Sequence, residues 1–242
     1  MKIKLRKYRT AIFSALAVMA SAAMIHYAMG QIDSAVYTNT AESDPNARVI
    51  VLDSGHGGMD GGCSTADGVT EKGINLSIML SVRDMCRLYG FDTAVTRDRD
   101  ISIHDSGTTG IRNQKVSDME NRLELFNKFP NAVCLSVHQN TYTDPKYSGA
   151  QMFYSVNNAK SADLAETIRR AVIEQVQPDN TRACKQAESR VYILSHVDVP
   201  AVFAECGFLS NPEEAEKLCD ENYQKKLAAA IADGIIAFCK AE

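Results

Sequence analysis

Three times along this chain an apolar run ends on polar residues. Val49-Ile50-Val51-Leu52-Asp53 leads into Ser54-Gly55-His56-Gly57-Gly58, Cys134-Leu135-Ser136-Val137 leads into His138-Gln139-Asn140, and Pro200-Ala201-Val202-Phe203-Ala204 leads into Glu205-Cys206-Gly207. Each reads as a buried strand that delivers a polar side chain to the edge of a sheet. Between the first two, Thr70-Glu71-Lys72 opens a segment in which Ile74, Ile78, Val82, Met85 and Leu88 fall on one helical face. Thr70 is its candidate cap and Gly90 its stop.

The same reading predicts strands over 48–53, 91–96, 132–137, 150–156, 190–194 and 201–205. It predicts helices over 70–89, 115–128, 161–176 and 222–239. Asn211-Pro212-Glu213-Glu214 has the form of a further helix start, with Asn as cap and Pro in the first turn. In the helix over 115–128, Val116, Met119, Leu123 and Phe126 are the expected inward positions. Residues 55–68 hold six glycines and form a loop; 101–114, 141–148 and 177–189 are further loops, the last a candidate cover for a site. Alternation of strands and helices predicts an α/β fold. We expect a single three-layer domain over 48–242, with a mostly parallel or mixed sheet, helices on both faces and the site at the strand carboxyl ends.

Charge sharpens this picture. Five of the 26 basic side chains lie in residues 1–30, which contain no acidic one, leaving 21 basic against 30 acidic in the rest. That acidic body excludes a nucleic-acid partner, because phosphate binding needs a positive footprint. The basic cluster Lys2 to Arg9 precedes a largely apolar stretch over 11–29, the pattern of an export signal, either cleaved or kept as a membrane anchor. Residues 31–47 read as a linker. The seven cysteines show no CxxC spacing, so they outline neither a zinc ribbon nor a disulfide framework.

His56, Glu71 and His138 make up the ligand inventory of a catalytic zinc, which takes three protein ligands and keeps one position open. Glu205 is the candidate for proton transfer, a carboxylate at the end of an apolar strand. Each has a plainer reading: Glu71 as a helix-dipole charge, Glu205 as a charged strand end, a lone histidine as a loop residue. Asp53 is either a carboxylate that orients a ligand or a turn former. His26, His104 and His196 lack a matching strand-end context and are assigned no role.

Taken together, Asp53-Ser54-Gly55-His56-Gly57-Gly58, Gly68-Val69-Thr70-Glu71-Lys72, Ser136-Val137-His138-Gln139-Asn140 and Glu205-Cys206-Gly207-Phe208-Leu209-Ser210-Asn211-Pro212 resemble the zinc-dependent N-acetylmuramoyl-L-alanine amidases. The likeness extends over about residues 48–240. It implies hydrolysis of the amide between N-acetylmuramic acid and the L-alanine of the peptidoglycan stem, with His56, Glu71 and His138 on zinc and Glu205 catalytic. It also implies that Asn140, Arg122 and Asn127 support the site or the substrate. Lys115 to Arg122, Ser148 to Tyr154 and Asn180-Thr181-Arg182 are similar to the spore-cortex branch, where stem removal precedes conversion of muramic acid to a lactam. Partners implied are the glycan strand with its stem peptide, the membrane through residues 11–29 if these are retained, and an accessory protein. Ser54 in place of a frequent Pro, Gly61-Gly62-Cys63 as a variation on the usual Gly-Ala loop, and the poorly matched stretch Ile101 to Gln114 depart from the family pattern. The competing readings are a zinc carboxypeptidase, in which Arg97, Arg122 or Arg182 would clamp a terminal carboxylate, and a non-catalytic wall-binding protein.

Overall fold

The computed structural model describes residues 48–241, so the export signal and linker expected over 1–47 lie outside the described residues. The strands are β1 (Val49–Ser54), β2 (Asp92–Val95), β3 (Val133–Asn140), β4 (Gln151–Tyr154), β5 (Lys185–Gln186) and β6 (Ala201–Phe208). They form one sheet in the order β2-β1-β3-β6-β4-β5. β2, β1, β3 and β6 run parallel, while β4 is antiparallel to β6, giving the mixed sheet of an α/β fold. The helices are α1 (Glu71–Leu88), α2 (Ile111–Asn127), α3 (Ser161–Gln175), α4 (Tyr192–His196), α5 (Pro212–Cys219) and α6 (Glu221–Ala241).

Alternation along the parallel strands assigns the two layers. Ile50, Leu52, Val133, Leu135, Val137, Val202 and Ala204 are buried toward the layer of α1, α3 and α6. Val51, Cys134 and Ala201 point the other way and pack with Leu125 and Phe126 of α2 and Ile193 and Leu194 of α4. Covered on both faces, these strands read as nearly continuous apolar runs. Burying a side chain such as Phe126 or Leu194 contributes on the order of 1.5–3 kcal/mol. Farther along the second face, at intervals of two, come Asp53 on β1, Ser136 and His138 on β3, and Phe203 and Glu205 on β6. This face opens at the strand carboxyl ends, where His138 and Glu205 are part-exposed. Just beyond, a register shift pairs Asn140 with Phe208, so one extra residue in β6 returns Phe208 to the face that carries Glu205.

Three expectations change. Residues 190–194, expected as a strand, instead lead into the short helix α4, whose Ile193 and Leu194 fill the space beside α2. The loop expected over 177–189 contains β5, two exposed residues paired with β4. α2 begins at Ile111, inside the loop expected over 101–114, and its buried residues are Ser117, Arg122, Leu125 and Phe126, while Val116 is 51% and Met119 39% exposed. Its rotation follows Arg122, which the buried carboxylate of Asp53 draws into the interior. The cap expected at Asn211 is present: its side chain accepts from the Glu214 amide at 3.0 Å, with Pro212 opening α5.

Candidate metal centre

β1 releases the chain into Gly55-His56-Gly57, where His56 holds a positive φ of 63°, a conformation that costs a non-glycine residue energy. The bond that fixes it comes from below, as Arg122 Nη2 donates to the His56 carbonyl at 2.7 Å. The imidazole of His56 then turns Nε2 to within 3.1 Å of Glu71 Oε1. From β3, His138 brings Nδ1 to 3.3 Å from the same oxygen, and the two rings meet edge-on with centroids 5.1 Å apart. The three candidate ligand atoms all lie within 4.8 Å of one another. Segments 15 and 67 residues apart in sequence thus converge on one point.

Glu71 reaches this point because α1 starts there. Thr70 occupies the cap position with extended backbone, yet its side chain makes no cap bond. Carbonyls of the glycine loop take over: the Glu71 amide donates to Cys63 O at 2.9 Å and the Lys72 amide to Gly61 O at 3.3 Å. In return the Cys63 amide donates to Glu71 Oε2 at 2.7 Å, and Asn75 Nδ2 to Oε1 at 3.1 Å. Burial alone would raise the Glu71 pKa, but His138 and His56 pull it far below the usual carboxylate range. At the start of α1, then, an ionised carboxylate faces two imidazoles.

The residues present fit zinc. Two imidazole nitrogens and one carboxylate oxygen form a set that catalytic zinc sites use. The backbone has also been cleared for them: a Cβ on Gly55 would overlap the His138 ring, and a Cβ on Gly62, at φ +68°, would overlap the Glu71 side chain. Beyond the cluster, the free end of the His56 ring is oriented by Asp60, whose Oδ2 lies 2.9 Å from Nδ1 and whose Oδ1 lies 2.9 Å from Lys115 Nζ. A carboxylate on the far nitrogen fixes ring orientation and raises ligand basicity. Asp60 thus fills the role for which Asp53 is the candidate in the sequence, and its place four residues after His56 in the same loop is the local signal for it.

Glu205 stands beside the cluster. Its Cα pairs with His138 on β3 and Gln151 on β4, which puts the three side chains in one row across the sheet. Glu205 Oε2 is buried without a hydrogen-bond partner among the described residues. Burial pushes its pKa up; His138 opposes this, Glu71 adds to it and His56 opposes it, leaving the carboxyl above its ordinary value. Phe203, two residues earlier, stacks on the His138 ring at 5.0 Å and 20°, closing one side of the site with an apolar wall.

Residues 50–237 match the N-acetylmuramoyl-L-alanine amidase family. The chain belongs to that family. It is 33% identical over 193 residues to the germination-specific N-acetylmuramoyl-L-alanine amidase of Bacillus subtilis, covering 80% of each protein. It is 27% identical over 254 residues to the amidase AmiA of Escherichia coli, covering 85% of this chain and 83% of that one. Among solved structures, the CwlD amidase from Clostridioides difficile in complex with the GerS lipoprotein superimposes with a TM-score of 0.77 at 34% identity, over 80% of this chain and 99% of that one. The protein is therefore an amidase of peptidoglycan.

Of the three further residues that the resemblance gave to the site or the substrate, Asn140 alone stands on the open face. It lies two residues beyond His138, half-buried, with its side chain accepting from the Thr141 amide at 2.8 Å. Arg122 is 3% exposed and turned inward, so its contacts are those of support for the site rather than of the substrate or the helix surface. Its guanidinium is taken by the Asp53 carboxylate, by Asp118 Oδ2 at 2.6 Å and by the carbonyls of Ser54 and His56 at 2.8 and 2.7 Å. Asn127 is also elsewhere: it ties the end of α2 to the segment after α4, donating to His196 O at 3.3 Å and accepting from the Asp198 amide at 3.0 Å. His104 bonds Ser102, and His196 bonds Tyr192 O, so neither joins the cluster.

Proposed function

We propose that this amidase holds zinc through His56, Glu71 and His138 and uses Glu205 as general base and then general acid on the muramoyl–L-alanine bond. The observation that carries the proposal is the convergence of the three ligand atoms within 4.8 Å beside a carboxylate with an unpartnered buried oxygen. Zinc, when bound, would polarise the scissile carbonyl and acidify water. Glu205 takes a proton from the attacking water as the water oxygen bonds the carbonyl carbon. As the C–N bond breaks, the same carboxyl returns the proton to the alanine nitrogen, which leaves as a free amine. A carboxyl held above its ordinary pKa is suited to both steps, since it keeps and releases a proton nearer to neutral pH. Asp60 keeps His56 oriented and Phe203 keeps water from one side of His138, and in this reading Asn140 contacts the substrate.

The natural substrate in this reading is spore-cortex peptidoglycan, and the reaction is the first step toward muramic lactam. Its support is the likeness to the germination-specific relative and to the CwlD amidase. The latter's complex with a lipoprotein supports an accessory protein here as well. Residues 48–242 form the catalytic domain, and residues 1–30 export it toward the wall, as a cleaved signal or an anchor. No helix among the described residues is long and apolar enough to cross a membrane.

Product analysis tests this reading. Zinc-loaded protein with cortex peptidoglycan should release whole stem peptides that carry a new N-terminal alanine. Release of single amino acids alone would favour the carboxypeptidase, and zinc and glycan binding with no release would favour a binding protein.

A further inference from the structure

The row that contains His138, Glu205 and Gln151 continues past the edge of the metal centre to a cation. Gln151 is buried, and its side-chain oxygen accepts from Arg182 Nη1 at 3.0 Å while its amide donates to Ala183 O at 3.0 Å. Arg182 Nε donates to Ser148 O at 2.8 Å, and its backbone amide donates to Asn180 Oδ1 at 3.0 Å. The guanidinium lies over the Phe208 ring, 4.6 Å from its centroid, and 5.8 Å from that of Tyr147. Phe208 is on this face only because of the extra residue in β6. The fork is therefore held on four sides. Nη2 nevertheless bonds nothing among the described residues, and no carboxylate among them forms an ion pair with the group. The nearby Glu214 feels the Arg182 charge without bonding it, since its oxygens accept the amides of Gly149 and Phe208 at 2.8 and 2.7 Å. Arg182 opens into a cleft of about 1120 Å³, which Tyr147, Ser148 and Asn180 also line.

A planar guanidinium, fixed on aromatic faces with one edge unpaired, is a receptor for a carboxylate. We propose that Arg182 binds a free carboxylate on the peptide half of the substrate, on the residue that follows the alanine, and so seats the leaving amine over Glu205. The inference rests on the amidase reading of the same site. Substrate chemistry identifies the half: the muramoyl side has already used its carboxyl in the scissile amide, whereas the stem peptide is acidic. Spacing identifies the residue. Glu205 pairs with Gln151 on the next strand, and Arg182 bonds the Gln151 side chain at 3.0 Å, so on this side of the site the group that follows the alanine is the first to come within reach of the guanidinium.

The test compares two glycan-linked stems, L-Ala-γ-D-Glu-diaminopimelate with the glutamate α-carboxylate free and the same stem with that carboxylate amidated. Wild-type enzyme should favour the free acid by about tenfold or more in kcat/KM, the worth of a charge-assisted bond, with the difference in KM rather than kcat. In Arg182→Gln this preference should fall to near one. Arg182→Lys, which keeps the charge without the fork, should fall between. Should Arg182→Gln not fold, inhibition of the wild type by the released peptide decides: the free acid should inhibit about tenfold more strongly than its amide. Equal cleavage and equal inhibition of the wild type by the two forms would overturn the proposal, as would a preference that survives in Arg182→Gln. If the wild type releases no N-terminal alanine from either stem, the amidase reading itself falls, and the inference with it.

Discussion

Two groups of buried charges stand one step apart on the same strands, and they are built differently. In the lower one, Asp53 accepts from Arg122, Thr96 and Ser136, and Arg122 also bonds Asp118 and two carbonyls. Among its groups every charge has an answering charge. In the upper one, His56 and His138 crowd a single oxygen of Glu71, and Glu205 keeps a buried oxygen with no partner. A satisfied network sets shape, whereas incompletely paired polar groups in a cleft mark the place where a ligand or a reaction is expected. The lower group is the footing of the upper one, since Arg122 holds the carbonyl of His56.

Substitutions should separate the two groups. The largest effect is expected from Glu205→Gln, which should cut kcat by about 10²–10⁴ while zinc content and melting temperature hold; near-normal turnover would remove the proton-transfer role. Asp53→Ala should instead cost about 3–5 kcal/mol of stability, because it leaves Arg122 buried and unpaired, measured by denaturant unfolding of the metal-free protein. A loss under 1 kcal/mol would mean that this pair is not the footing.

The same pair should set acid stability. Burial alone would raise the Asp53 pKa, but Arg122 above all, with His138, Ser136 and Thr96, brings it below the ordinary carboxylate value. A depressed carboxyl contributes stability that is full above its unfolded pKa and is lost as pH falls through the folded one. The wild-type melting temperature should therefore decline below about pH 4, and Asp53→Asn should show a flatter acid limb. A smaller effect is expected from Asp60→Asn, about 10–100-fold weaker zinc binding with stability in chelator nearly unchanged. Unaltered zinc affinity would show that His56 needs no such support.

The upper group was legible in the sequence because each member ends an apolar run or opens a helix, and those local patterns fix where a side chain emerges. The cap at Asn211-Pro212 was legible for the same reason. The lower group was not. Nothing local distinguishes Arg122 from the other charges of α2, and the expected inward face through Val116 and Met119 is exposed because a partner 69 residues away decides the rotation. α4 was read as a strand because five residues with two buried apolar neighbours fit either period. β5, two exposed residues, has no period to read. Asp60 stood four residues after His56 and Arg182 among the candidate carboxylate clamps, but folding alone decides which contacts they make.

Zinc content of the dialysed protein, wild type beside His138→Ala, tests the centre most directly. The wild type should retain about one zinc per chain and the variant almost none, because a three-ligand site does not survive the loss of one. Equal zinc in both proteins would contradict the assignment of His56, Glu71 and His138 as the ligands.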